Sequence, residues 1–279
     1  RELTIWSIVF LLLISLPIRF YFLEKYHSET AIKKSVSISE RSTNLLARRG
    51  KILDRNGSVL AEDIPSYEIG LDLNNFSFNP KEIKKISYLL DIDRKTFTKR
   101  LSDKKKKYLV LKRNATSELF SQINNQKING IVGYKKYTRS YPKGAAFSQL
   151  VGLVNTFNNE GIQGVELSLD DLLTGKNGKK DYLKTRKNKT IESEVINPAH
   201  GKDIYLTIDA DLQFMAYSIL ENTVMHHDAS SASLVVIEPE SQEILAMSNY
   251  PSFNPNDRKN INLSNLENKA ATELFEPGS

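Results

Sequence analysis

Residues 49–61 read Arg49-Gly50-Lys51-Ile52-Leu53-Asp54-Arg55-Asn56-Gly57-Ser58-Val59-Leu60-Ala61. The Asn56-Gly57 pair marks a turn, because both residue types tolerate the left-handed backbone that a tight reversal needs. Ile52-Leu53 before the turn and Tyr67 to Leu73 after it read as strands, rich in branched and aromatic residues. The charges of the stretch, Arg49, Asp54 and Arg55, stand beside glycines and strand residues, a setting suited to ion pairs between chain segments.

Downstream, the signals are mixed as far as Pro198. Pro80 to Leu90 places Ile83, Ile86, Leu89 and Leu90 on one helical face. Tyr108 to Leu111 predicts a strand and Ser117 to Ile123 a short helix, and turns follow at Gly161, Gly164, Gly175 and Gly178. After Gly201 the pattern sharpens. Ile204 to Ile208 predicts a strand and Asp209 a helix N-cap, with Leu212, Met215, Ala216, Ile219 and Leu220 recurring at helical spacing. Ser233 to Ile237 and Glu243 to Met247 predict two strands joined by Glu238-Pro239-Glu240-Ser241. This order predicts an α+β fold with an antiparallel sheet packed on helices and a domain boundary near Pro198.

Upstream, Leu3 to Ile18 is almost unbroken apolar sequence, continued past Arg19 by Phe20-Tyr21-Phe22-Leu23. A helix over 3–23 would be about 31 Å long, against a hydrocarbon core of about 30 Å. Arg19 can snorkel near its end, and Trp6, Tyr21 and Tyr26 suit the membrane interfaces. The bulky residues from Ile18 to Tyr26 offer no signal-peptidase site. Residues 1–23 are therefore expected to be an uncleaved transmembrane helix, followed by a stalk or helical continuation at 24–44. The flanking charges, Arg1 before and Lys25, Lys33 and Lys34 after, leave its orientation undecided.

Composition narrows the chemistry. The 279 residues contain no cysteine and four histidines. Disulfides, thiolate zinc sites, iron–sulfur clusters and a cysteine nucleophile are thereby excluded from this stretch. The adjacent His226-His227 pair reads as a cationic helix end. Net charge is +6, unevenly spread: 101–150 carry 11 Lys and Arg against 2 Asp and Glu, whereas 201–279 carry 4 against 12. With no nucleic-acid-binding motif beside it, the basic stretch reads as a solvated face. The chain begins at Arg1 and reaches Ser279 with no tail, and is expected to be a fragment cut at both ends.

Four patterns in order, with the anchor, carry a resemblance. The first is the opening stretch, 49–61; the second is Arg139-Ser140-Tyr141-Pro142-Lys143-Gly144. The third is Gly161-Ile162-Gln163-Gly164-Val165-Glu166 and the fourth Phe275-Glu276-Pro277-Gly278-Ser279. Together they resemble the class B penicillin-binding proteins, membrane-anchored peptidoglycan transpeptidases of bacteria. The short connection from Gly152-Leu153-Val154-Asn155 to Gly161, the single proline of the fourth pattern and Asn268 to Glu273 are similar to the cell-division branch. Elongation-type enzymes, a β-lactam sensor and a non-catalytic scaffold are the alternatives.

The resemblance implies a β-rich pedestal, of the dimerisation type, at 45–198. It implies the beginning of a penicillin-binding, β-lactamase-like transpeptidase domain at 199–279. It also implies that Ser279 is the catalytic nucleophile, opening a Ser-x-x-Lys motif whose lysine lies beyond this chain. On its own, a serine after Pro-Gly reads as a helix N-cap, and it is the resemblance that makes it a nucleophile. Arg49, Asp54, Arg55, Arg139 and Glu166 are expected to be structural. No cofactor and no metal are implied. The implied partners are peptidoglycan stem peptides, β-lactams, a SEDS-type glycosyltransferase, divisome proteins and the inner membrane, with no nucleic acid; the catalytic part would be periplasmic.

Overall fold

The computed structural model describes residues 40–102, 106–184 and 190–274, with a few helical positions between 6 and 22. The expected anchor lies mostly outside these residues, as does the expected stalk up to residue 39. Among the described residues, no helix is long and apolar enough to cross a membrane. Two compact units are present. One is Arg1–Leu46 with Asn177–Ala199; the other is Ala47–Lys176 with His200–Ser279.

The described strands, in chain order, are β1 (Glu40–Leu45), β2 (Ile52–Leu53), β3 (Val59–Asp72), β4 (Tyr108–Ala115), β5 (Ile131–Ser140) and β6 (Leu153–Val154). They continue with β7 (Gly161–Gln163), β8 (Gly178–Lys184), β9 (Thr190–Ile196), β10 (Ile204–Tyr205), β11 (Ala232–Ile237) and β12 (Ile244–Tyr250). In the smaller unit, β1, β8 and β9 form an antiparallel sheet in that order. The end of the expected helical stalk is thus a strand, with Glu40 opposite Leu183 and Leu45 opposite Gly178. Its partner lies far along the chain, so local propensity carries no trace of the pairing.

The larger unit is built on β3. Glu62 to Leu71 pair antiparallel with β5, Tyr67 to Asp72 with β4, and the first residues of β3 with β2. Alternation buries Ile69 and Leu71 of β3 with Leu109 and Leu111 of β4. Three helices cover them: Pro80–Leu90, Arg94–Leu101 and Ser117–Asn124, through Ile86, Leu90, Phe97, Leu101 and Ile123. The first starts where the Asn79 side chain accepts from Lys81 N, with Pro80 in its first turn. As expected, Ile86 and Leu90 are buried and Ile83 and Leu89 pack against the same core. The helix Arg94–Leu101 and strand β5 are absent from the sequence reading. Only Phe97 and Leu101 of the helix are buried, and β5 exposes Tyr134, Lys135 and Lys136 in succession.

A second core gathers Ile52, Leu60, Ala61, Tyr141, Phe147, Val151, Leu173, Ile208 and Ala210. Residues before and after Pro198 meet in it. Ile204 and Tyr205 pair in parallel with Ile52 and Leu53, and this short pairing is all that becomes strand of the expected 204–208. Asp209 caps the helix Ala210–His227, accepting from the N–H groups of Asp211 and Leu212. The helix packs against β12 of the antiparallel β11–β12 pair. It buries Ala210, Gln213, Ala216, Leu220 and Val224, whereas the expected core residues Met215 and Ile219 are 58% and 52% exposed. Gln213, with no exposed surface, donates to Ala146 O (2.8 Å) and Met247 O (2.9 Å) and accepts from Met247 N (2.7 Å). These bonds tie the helix to Ala146 and to β12.

Three backbone segments cross at Gly50 and Gly201. Gly50 N donates to Leu173 O, Gly201 N to Arg48 O and Lys202 N to Leu172 O, each at 2.9 Å. A Cβ on Gly50 would lie 1.9 Å from Lys202 O, and one on Gly201 1.7 Å from Leu173 O. Only residues without a side chain fit this approach. Gly50→Ala is expected to destabilise the fold by about 1–3 kcal/mol, the range for overpacking, in denaturant titrations. Tyr88→Ala, at an exposed helix position, should change stability by less than about 0.5 kcal/mol.

Candidate functional site

The second core is crossed by a buried ionic knot that unites the first three sequence patterns. Glu166, in the short helix Gly164–Ser168, has no exposed surface. Its Oε2 accepts from Arg49 Nε at 2.6 Å and its Oε1 from Arg139 Nε at 2.7 Å. Arg49 Nη2 also donates to the Glu166 carbonyl at 2.8 Å. Arg49 Nη1 reaches Asp170 Oδ1 (2.6 Å), Thr174 Oγ1 (2.7 Å) and Asn159 O (3.2 Å). Asp63 closes the knot, accepting from Arg49 N at 2.8 Å and from Arg139 Nη1 at 3.3 Å. Arg139 sits at the end of β5 and Asp63 opposite it on β3, so sheet register alone brings that pair together.

Asp170 is the half-open edge of the knot. Burial pushes its carboxyl up, but the Gly161 N–H and the Arg49 guanidinium outweigh this and hold it below the usual 3.8. Tyr141 packs beside the knot and accepts from Val154 N at 3.2 Å. Burial first, and the Glu166 charge second, push its phenol well above the ordinary tyrosine range. The buried carboxylate of the first pattern, Asp54, acts separately. Asp54 Oδ1 accepts from Asn56 N (2.9 Å) and Ser58 N (2.6 Å), closing the expected turn, and Oδ2 accepts from Ala210 N at 3.2 Å. Arg55 forms an exposed pair with Glu243 at 3.3 Å.

The charged residues expected to be structural are therefore placed as such. Both oxygens of Glu166 are taken by guanidinium groups and no water-accessible surface remains, so it has no opening to act as a base. Sequence reading missed Asp63, Asp170 and Thr174. Asp170 and Thr174 carried a signal, since they follow Glu166 at steps of four and return to one side of a helical stretch. Among the described residues, most of the basic stretch is solvated as expected, with Arg139 the buried exception. Ser279, with Phe275 to Gly278, lies outside the described residues.

Fold and knot together define an α+β protein in which a charge-locked support packs against the residues that follow Pro198. Residues 44–206 match the penicillin-binding protein dimerisation domain and 232–279 the penicillin-binding protein transpeptidase domain. The chain belongs to the penicillin-binding protein family. It is 36% identical to the peptidoglycan D,D-transpeptidase FtsI of Buchnera aphidicola subsp. Schizaphis graminum, over 100% of this chain and 50% of that protein. It is 31% identical to FtsI of Escherichia coli K12, over 94% of this chain and 45% of that protein. Among solved structures, penicillin binding protein 2X of Streptococcus thermophilus is similar, with 26% identity and a TM-score of 0.56, covering 84% of this chain and 38% of that one. The chain spans about half the length of the curated relatives it matches.

Two outcomes follow from the knot. Glu166→Ala leaves two guanidinium groups buried without their shared carboxylate. It should cost about 3–5 kcal/mol in chemical denaturation, the range for breaking a buried ion pair from one side. Asp170 contributes stability that is complete above its unfolded value of 3.8 and is lost as pH falls through its lower folded value. Stability measured against pH should thus decline below 3.8, and Asp170→Asn should make that acid slope shallower while lowering stability at neutral pH.

Proposed function

We propose that this chain is the N-terminal part of a septal peptidoglycan D,D-transpeptidase held in the bacterial inner membrane by one span. In this reading, 1–23 are the anchor, 24–44 the stalk, 45–198 the pedestal and 199–279 the beginning of the transpeptidase domain, all of it after the span periplasmic. The observation that carries the proposal is the joint, ordered match to the dimerisation and transpeptidase domains, the second including Ser279. Two relatives named FtsI D,D-transpeptidase, each aligned along nearly the whole chain, support the division role.

The reaction is acyl transfer. The Ser279 hydroxyl attacks the carbonyl of the penultimate D-alanine of a donor stem peptide, and the terminal D-alanine leaves. The amine of a neighbouring stem peptide then takes the acyl group, forming the cross-link and freeing the serine. A β-lactam acylates the same oxygen by opening its ring. In the family this chain resembles, a serine behind Pro-Gly opens a helix, which would let the N–H of Ser279 face the developing oxyanion. The hydroxyl is a weak nucleophile until a base takes its proton, and that base is the lysine expected beyond this chain. Neither metal nor organic cofactor has a step to perform. A SEDS-type glycosyltransferase and divisome proteins are the partners this role requires.

Fluorescent penicillin added to cells producing the longer protein should label it in the membrane fraction and leave Ser279→Ala unlabelled. The 279-residue chain alone should remain unlabelled. Labelling of Ser279→Ala at the wild-type level would remove Ser279 from the mechanism.

A further inference from the structure

The sequence contains three Asn-Gly pairs, at 56–57, 129–130 and 177–178. Such a pair carries its own chemistry. Glycine has no side chain to obstruct its backbone nitrogen, which can reach the side-chain carbonyl carbon of the asparagine before it. Whether it does so depends on how the fold holds the two residues, and the three pairs differ in this.

Asn56-Gly57 is tied at both ends of the bond that would have to form. Gly57 N donates to Asp54 O at 3.2 Å, so the attacking nitrogen is engaged. Asn56 donates from N to Asp54 Oδ1 at 2.9 Å and from Nδ2 to Asp209 Oδ2 at 3.3 Å. Asn177-Gly178 leads into β8, where Gly178 is buried and paired opposite Leu45 of β1. The end of that sheet must open before the pair can rearrange.

Asn129-Gly130 is held differently. Asn129 is exposed, in the connection between the helix Ser117–Asn124 and β5. Ile131 N donates to Ile128 O at 3.4 Å, closing a turn with Gly130 third in it at φ 84°, a place that favours glycine. Among the described residues, neither the Asn129 side-chain amide nor Gly130 N has a hydrogen-bond partner. Ile128 is buried and Ile131 packs against the same core, so a fixed frame presents the pair at the surface.

We propose that Asn129 is a modification site of the folded protein, losing its amide to attack by Gly130 N and loosening the β3–β5 ladder when isoaspartate results. The nitrogen gives up its proton and bonds to Asn129 Cγ, closing a five-membered succinimide. The side-chain nitrogen takes up a proton and leaves as ammonia. Water then opens the ring. Cleavage of the new bond gives aspartate; cleavage of the original peptide bond gives isoaspartate, with the main chain running through Cβ and Cγ. Water is consumed, ammonia is released, and nothing is oxidised or reduced. Either product carries a negative charge at neutral pH.

Isoaspartate also lengthens the main chain by one carbon directly before Gly130, where there is no slack. Gly130 O accepts from Asp72 N at 2.8 Å, and a Cβ on Gly130 would lie 2.7 Å from Asp72 O. The next residue, Ile131, begins β5 opposite Leu71 of β3. The added carbon therefore falls at the end of the ladder and breaks into the bond that closes it.

The test keeps the longer protein, purified in detergent, at mildly alkaline pH, either folded or in concentrated urea. Peptide mass mapping follows the conversion of each pair, and each folded rate is compared with the same pair's rate in urea. Asn129 should stay within about threefold of its urea rate, whereas Asn56 and Asn177 fall at least about tenfold below theirs, reacting only from locally opened forms. Asn129→Gln, whose ring would be six-membered, should remove the conversion at 129 and leave the other two pairs unchanged. If Asn129 is slowed as much as the other two, or is overtaken by either, the assignment is overturned. In the isolated isoaspartyl protein the Asp72 amide should exchange with solvent at least about tenfold faster than before conversion. Unchanged exchange there would overturn the loosening of the ladder.

Discussion

A carboxylate held out of water between two guanidinium groups is the constraint on which the larger unit depends. Desolvating each of these ions costs several kcal/mol, and the cost is offset only when each charge meets its partners at short range. Glu166 achieves this with both oxygens, and Arg49 with Nε and both terminal nitrogens. Arg139 spends Nε on Glu166 and Nη1 on Asp63, while its Nη2 is buried without a partner. An apolar cluster of the same volume would tolerate sliding; a planar guanidinium with directed donors does not. Three segments far apart in the chain therefore meet in one register.

The same stretch that supplies Arg49 also receives the chain after Pro198. Its backbone crosses 200–202 at Gly50, its strand pairs with Ile204 and Tyr205, and Asp54 reaches the first turn of the helix Ala210–His227. Support and following segment consequently share one hydrophobic core and one compact unit. A disturbance of the knot is passed on through packed side chains and backbone hydrogen bonds.

This arrangement separates two kinds of contact. Charge holds the support together in the buried knot. Across to the strands and loops beyond it, neutral amides and hydroxyls (Gln149, Gln163, Ser148, Gln213 and Asn256) act alongside the Asp54 carboxylate and the exposed Arg55–Glu243 pair. Neutral donors hold a carbonyl at a fixed distance without imposing a field on nearby chemistry. Ionic groups within a few ångströms would shift the titration of any acid or base placed there.

Much of this was legible in the sequence. The Asn56-Gly57 turn, the capped helix behind Pro80 and the alternating pair around Glu238-Pro239 follow from turn chemistry and local periodicity, which act within a few residues. The glycine-flanked charges marked the support, and the order of the four patterns marked the family. Tertiary structure alone decided the rest. Strand β1 is extended because β8 lies beside it, and β5 because β3 offers it ten paired positions. Asp63 joins the knot through sheet register, which no window of sequence contains. The buried face of Ala210–His227 includes Gln213, whose amide finds two carbonyls and an N–H supplied by residues far from it in the chain. A hydrogen-bonding group in the interior is favourable only when its partners are in place, and those partners come from other parts of the chain.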